Sequence, residues 1–193
     1  MSKENILSKI SKMSEEELID LARSTSDVEI FNILAENANY EVRCKVAENM
    51  NTPVELLAVL AKDINLGVRA SVAWNNNTPV ETLVKFAGDK EGRVRCKVAE
   101  NKNTPAKVLA KLANDENECV REVVAWNENT PDKLLSVLAK DKDCYVRKAV
   151  AENKNTSVET LVFLSKDNNE WVSKVANDAL KERKEKGRTN IER

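Results

Sequence analysis

Five arginines recur at one spacing in this chain. Arg43, Arg69, Arg95, Arg121 and Arg147 follow one another every 26 residues, each directly after a valine. A column of guanidinium groups on one face is the arrangement that tracks a phosphate backbone. The helical wheel argues against that chemistry here. At 100° per residue, Val68, Arg69, Val72 and Ala73 share one arc of about 140°. Arg69 therefore lies inside the apolar arc, turned toward a neighbouring element. An arginine in that position needs an acidic partner, so the column reads as scaffold.

The opposite arc holds the positions equivalent to 67, 70, 71 and 74. Its last position alternates Glu48, Trp74, Glu100, Trp126, Glu152. On this face the true period is thus 52, not 26, which an ancestral doubled pair of repeats explains. Val123 and Tyr145 lie on the same arc. Two readings fit the tryptophans, which helix spacing sets on the order of 20 Å apart. Each either folds over small neighbours such as Ala70 and fills a groove between repeats, or stays open and anchors an extended peptide or partner helix. In the second reading the glutamates select basic side chains between the anchors. Cys44 and Cys96 share the face beside Lys45 and Lys97, and a nearby ammonium lowers a thiol pKa. A small residue on a helix surface is the ordinary explanation of those cysteines.

Composition limits the function classes. The chain has 193 residues with 31 basic and 32 acidic side chains. A net charge of −1 gives no global attraction to nucleic acid or anionic membrane. On the open arc, five basic residues (Lys45, Arg93, Lys97, Lys148, Lys174) face six acidic ones (Glu41, Glu48, Glu100, Glu122, Glu152, Asp178). There is no histidine, no glycine-rich phosphate loop and no GxSxG, so an enzyme is not expected. The four cysteines form no CxxC pair. Cys44 and Cys96 stand two repeats apart, on the order of 20 Å, whereas a disulfide needs Cα atoms within about 7 Å. A reduced, cytoplasmic protein without metal or cofactor is the expectation. No apolar run reaches membrane-spanning length, and the start has no apolar signal core.

The elements that position these residues follow from the repeat itself. Asn51-Thr52-Pro53 returns as Asn77-Thr78-Pro79, Asn103-Thr104-Pro105 and Asn129-Thr130-Pro131, then weakened as Asn155-Thr156-Ser157. A fixed period of this size means stacked supersecondary units. Thr52 reads as a helix N-cap, with Pro53 at the first helical position and Glu55 completing a capping box. The pairs Thr78/Glu81 and Thr156/Glu159 read the same way. Leu57, Leu60 and Ala61 continue at helical spacing for about ten residues. After Asp63 a second helix carries Val68, Arg69, Val72 and Ala73, and Asn75 stops it as a residue tolerant of the left-handed conformation. Six units fit: 25–50, 51–76, 77–102, 103–128, 129–154 and 155–180. Residues 1–24 form an N-terminal helical cap, where Ser14 to Glu17 is a further capping box. Residues 181–193 form a polar helix end and tail, giving one domain over 1–193.

The string Asn-x-Asn-Thr-Pro-x-x-x-Leu-x-x-Leu-Ala-x-Asp, followed by Val-Arg-x-x-Val-Ala-x-Asn, resembles the leucine-rich repeat variant family, close to the HEAT and armadillo repeats. It covers about 155 residues. The resemblance implies an all-α, right-handed α-solenoid whose second helices line the concave side. It also implies a buried Asp–Arg ladder, here Asp63 with Arg69, Asp89 with Arg95, Asp115 with Arg121 and Asp141 with Arg147. The family's founding type carries a cysteine-ligated iron–sulfur cluster at its N-terminus, and no cysteine precedes Cys44 here. The expected function is a protein-interaction scaffold that binds a peptide or protein along the second-helix face. Nucleic-acid binding through a locally basic stripe is the alternative.

Overall fold

The computed structural model describes residues 3–189, with side chains from 4 to 185. The described residues form fourteen helices and no strand. Two helices come first, α1 (Lys3–Ile10) and α2 (Glu15–Ser24). Six pairs follow, each a first helix of seven or eight residues and a second of nine or more. They are α3 (Val28–Ala35) with α4 (Tyr40–Glu48), α5 (Val54–Leu60) with α6 (Leu66–Trp74), and α7 (Val80–Phe86) with α8 (Gly92–Glu100). Then come α9 (Ala106–Leu112) with α10 (Glu118–Trp126), α11 (Asp132–Leu138) with α12 (Cys144–Glu152), and α13 (Val158–Leu164) with α14 (Glu170–Thr189). The fold is an all-α solenoid of repeats. Its helices group into two compact halves, Met1–Asn103 and Thr104–Arg193.

Within each half the second helices pack side by side, α2 on α4, α4 on α6 and α6 on α8, then α10 on α12 and α12 on α14. The first helices supply the leucines that fill the space behind them. Phe31, Leu57 and Leu83 are fully buried in the N-terminal half, as are Leu109, Leu135 and Leu161 in the C-terminal half. From the second helices, Val42, Val68, Val94, Val120 and Val146 are equally buried. A helix of seven to nine residues is too short to stand alone in water, so these elements exist because stacking covers their apolar stripe.

The turns differ from the sequence expectation. Pro53, Pro79, Pro105 and Pro131 sit at the N-cap rather than inside the first turn, with extended backbone and no side-chain cap. The threonine before each proline does not cap the helix ahead of it. Instead Thr52 Oγ1 donates back to the Val46 carbonyl, Thr78 to Val72 and Thr130 to Val124, and Thr156, which precedes Ser157, does the same to Val150. The Thr–Glu capping boxes therefore do not form, because the N-cap position falls one residue later, on Pro53 and Pro79 and, in the last repeat, on Ser157. The box at Ser14 and Glu17 does form, with both reciprocal bonds. Asn75 ends α6 in an extended conformation with φ −65°. No described residue has the positive φ that a left-handed cap needs.

What the asparagines do instead is join neighbouring repeats. Asn75 is fully buried. Its Nδ2 donates to the Ala47 carbonyl at 2.7 Å and the Asn49 carbonyl at 3.1 Å, and its Oδ1 accepts from the Asn77 amide. Asn49, Asn101 and Asn153 do the same, reaching back to Ala22 and Thr25, Ala73 and Asn75, and Ala125 and Asn127 respectively. A second row follows two residues later, where Asn77, Asn103 and Asn155 donate to the carbonyls of Met50, Asn76 and Glu128. Helix ends leave carbonyls without partners, and these side chains supply them. Among the described residues no buried side-chain nitrogen or oxygen lacks a partner.

Candidate functional site

The arginine column is built into the core. Arg69 Nε and Nη2 form a fork on the Asp89 carboxylate at 2.7 and 3.1 Å, while its Nη1 donates to the carbonyls of Asp63 and Ile64. Arg43 with Asp63, Arg121 with Asp141 and Arg147 with Asp167 repeat this geometry. The expected pairing is thus corrected. The carboxylate lies 20 residues after the arginine, in the next repeat, and the aspartate six residues before contributes only its main-chain carbonyl. Arg95 likewise donates to the Asp89 carbonyl at 2.9 Å. Asp115 gives its carbonyl to Arg121 and holds the Asn117 amide. Burial alone would raise the Asp89 carboxyl, but the Arg69 guanidinium and the Glu91 amide outweigh it and hold the group below the ordinary range. At Asp167 the bond from Arg147 is the largest influence and acts in the same direction. Arg43, Arg69, Arg121 and Arg147 are committed to carboxylates, and their guanidinium groups are not free to track phosphates.

The open arc of the second helices is a different environment. Ala70, Ser71 and Ala149 are buried where one second helix meets the next, so only the outermost positions face outward. Trp74 is 39% exposed and Trp126 58%. Neither is swallowed by the groove between repeats. In the N-terminal half, Trp74 lines a groove of about 570 Å³ together with Arg23, Lys45, Glu48, Arg93 and Lys97. Met50, Ala70 and Ser71 also line it. In the C-terminal half, Trp126 borders a hollow of about 330 Å³ with Ala149, Glu152 and Asn153.

The glutamates of the alternating position are already engaged. Glu48 accepts from Lys45 at 2.7 Å and from the Ser71 hydroxyl at 3.0 Å. Glu100 pairs with Lys97, and Glu152 with Lys148. Each lysine lies three or four residues earlier on the same helix, where side chains meet. Of the remaining candidates, Val123 is half-buried. Tyr145 is exposed and stands edge-on to Trp171, ring centroids 5.9 Å apart. Lys148 lies over the Trp171 ring at 5.2 Å, a cation–π contact.

Sequence reasoning passed over Trp171 and Arg23 as site residues. Trp171 occupies the same column as Tyr145, which was signal enough. Arg23 belongs to α2, ahead of the first repeat, so no periodicity marks it. The Cys44 thiol is not activated by the ammonium beside it. Burial pushes the Cys44 thiol up, against the bond with Ser71 first and the smaller pull of Lys45 after it. Glu122 is raised too, by burial first and then by Asp143. No disulfide links Cys44, Cys96, Cys119 and Cys144. No described helix is long and apolar enough to cross a membrane.

No protein-family model matches this chain, and no curated protein matches it. Solved structures do. A leucine-rich repeat variant with a novel repetitive structural motif is 24% identical, with 92% of this chain and 82% of that one covered and a TM-score of 0.44. An engineered protein is 18% identical, covering 94% and 96% at a TM-score of 0.38. A designed armadillo repeat protein is 16% identical, covering 93% and 99% at a TM-score of 0.40.

Proposed function

We propose that this chain is a non-catalytic interaction scaffold of the cytoplasm that binds a peptide or protein along its second helices. The observation that carries the reading is the exposure of Trp74 and Trp126 on helices whose inward valines, Val68 and Val72 and Val120 and Val124, are fully buried. Large aromatic surface left in water is the usual mark of a binding site, and tryptophan leads the residues that dominate interface energy. The rigid arginine and asparagine ladders support the same view, since a scaffold that holds its anchors still loses less entropy on binding. A small number of exposed aromatics on a polar face suits a partner that inserts side chains one at a time.

The test is affinity capture from native extract with the intact protein and with the Trp74→Ala, Trp126→Ala double variant as control. The variant is expected to keep its helical circular-dichroism signal, because both side chains lie outside the core, and to lose the specific partner. Recovery of the same partner at the same level by the variant would overturn the reading.

A further inference from the structure

We infer that the groove around Trp74 takes an acidic peptide segment carrying an apolar side chain, a partner chemistry that rests on the scaffold reading above. Charge complementarity selects the occupant. Four cationic side chains line the groove, Arg23 from α2, Lys45 from α4, and Arg93 and Lys97 from α8, against one carboxylate, Glu48. They flank Trp74 from the helices on either side of its own. Lys45 is matched by Glu48, and Lys97 by Glu100 outside the groove. Arg93 makes no ion pair among the described residues and is exposed. Among the described residues the Arg23 side chain pairs with Asp20 alone, at 3.2 Å, in a pair open to water on both sides, which holds it weakly. Two arginines therefore stand available at the rim, and the guanidinium fork is shaped for carboxylates.

The same groove is also lined by the Trp74 indole, Met50 and Ala70, which give it apolar surface beside the charges. A ligand that matches both features places an apolar or aromatic side chain on the indole and carboxylates on either side. A nucleic-acid strand fits less well. Glu48 inside the groove and Glu100 beside it oppose a continuous run of phosphates, while the ladder arginines are unavailable. A peptide can set its acidic residues apart to suit the two rim arginines.

The closing experiment uses the full chain on an array of random-sequence dodecapeptides, with a fluorescein-labelled oligothymidylate of twelve nucleotides titrated separately. Enriched peptides are expected to carry net negative charge around an aromatic or aliphatic residue. The best of them, resynthesised, should bind on the order of tenfold more weakly to Arg93→Glu and more weakly again as salt rises from about 50 to about 500 mM. Lys12→Glu, in the turn after α1, changes net charge equally and should leave affinity within about twofold. Enrichment of basic or neutral peptides that still require Trp74 overturns the acidic assignment and leaves the scaffold reading standing. Tighter binding of the oligonucleotide than of any peptide overturns the assignment in favour of nucleic acid. Absence of any enriched peptide overturns both readings.

Discussion

Arg69 makes four hydrogen bonds, two that reach the Asp89 carboxylate of the next repeat and two to main-chain carbonyls of its own. Removing such a partner strands a buried charge. Arg69→Met should cost about 3–5 kcal/mol in urea unfolding, and Arg69→Met with Asp89→Leu should recover most of that. The acid limb of stability carries the same information. The Asp89 carboxyl is held below its ordinary value in the folded state. Its contribution is therefore complete above the unfolded pKa of about 4 and disappears as pH falls through the lowered folded value. Arg69→Met should lose less stability than the parent between neutral pH and about pH 3. The column was legible in the sequence, but the identity of the partner was not. In a 26-residue repeat the aspartate six residues before and the one 20 residues after belong to the same column, so spacing alone cannot tell a bond within a repeat from a bond between repeats. Burial of the arginine against the following helix decides it.

At the scale of the helix, the second helices start on side-chain caps at Asn39, Asn65, Asn117 and Asp143, each accepting an amide two residues on. Helix α8 is the exception: Glu91 occupies the cap position and makes no such bond. Glu91→Asn should therefore stabilise the protein by about 1 kcal/mol, read as a higher urea midpoint with an unchanged slope. The Asn-Thr-Pro string was legible as a junction between helices, because proline cannot continue one and favours the start of another. Its wiring was not legible. Threonine before a helix is ordinarily an acceptor for the turn ahead, and here it is a donor to the turn behind. The exception confirms how tight the junction is. In the last repeat Ser157 replaces proline and regains an amide, and that amide is taken up by Asp132 from the repeat before.

Across the whole molecule, cohesion is a series of local joins. Asn75 binds Ala47, Asn49 and Asn77, whereas Asn153 binds Ala125, Asn127 and Asn155. Replacing either by alanine leaves buried carbonyls without donors, at about 3 kcal/mol. With no shared partner, the two losses should add to within about 0.5 kcal/mol in the double variant, measured by urea unfolding of all four proteins. The exposed face was legible only in part. The 52-residue alternation pointed to Trp74 and Trp126, and both stand open. That the glutamates between them would be neutralised by lysines on their own helices was written in the i, i+3 and i, i+4 spacing. The basic character of the groove around Trp74 was not, because Arg23 lies outside the repeat.

The two ladders run in opposite directions: arginine reaches forward to the next repeat, and asparagine reaches back to the one before. The last second helix departs from this. Helix α14 continues past the point where the others stop, and Arg183 takes the carbonyls of Lys154 and Thr156, one period on from the Glu128 and Thr130 carbonyls held by Asn155. Within each half, successive repeats thus present the same plug and the same socket, and α14 closes the last described socket with a different plug. A gene encoding such a chain can gain or lose whole 26-residue cassettes without breaking a join, while a slip of any other length severs both ladders at once. Length is then freely adjustable by duplication, but only a 52-residue step preserves the order of the aromatic anchors along the face.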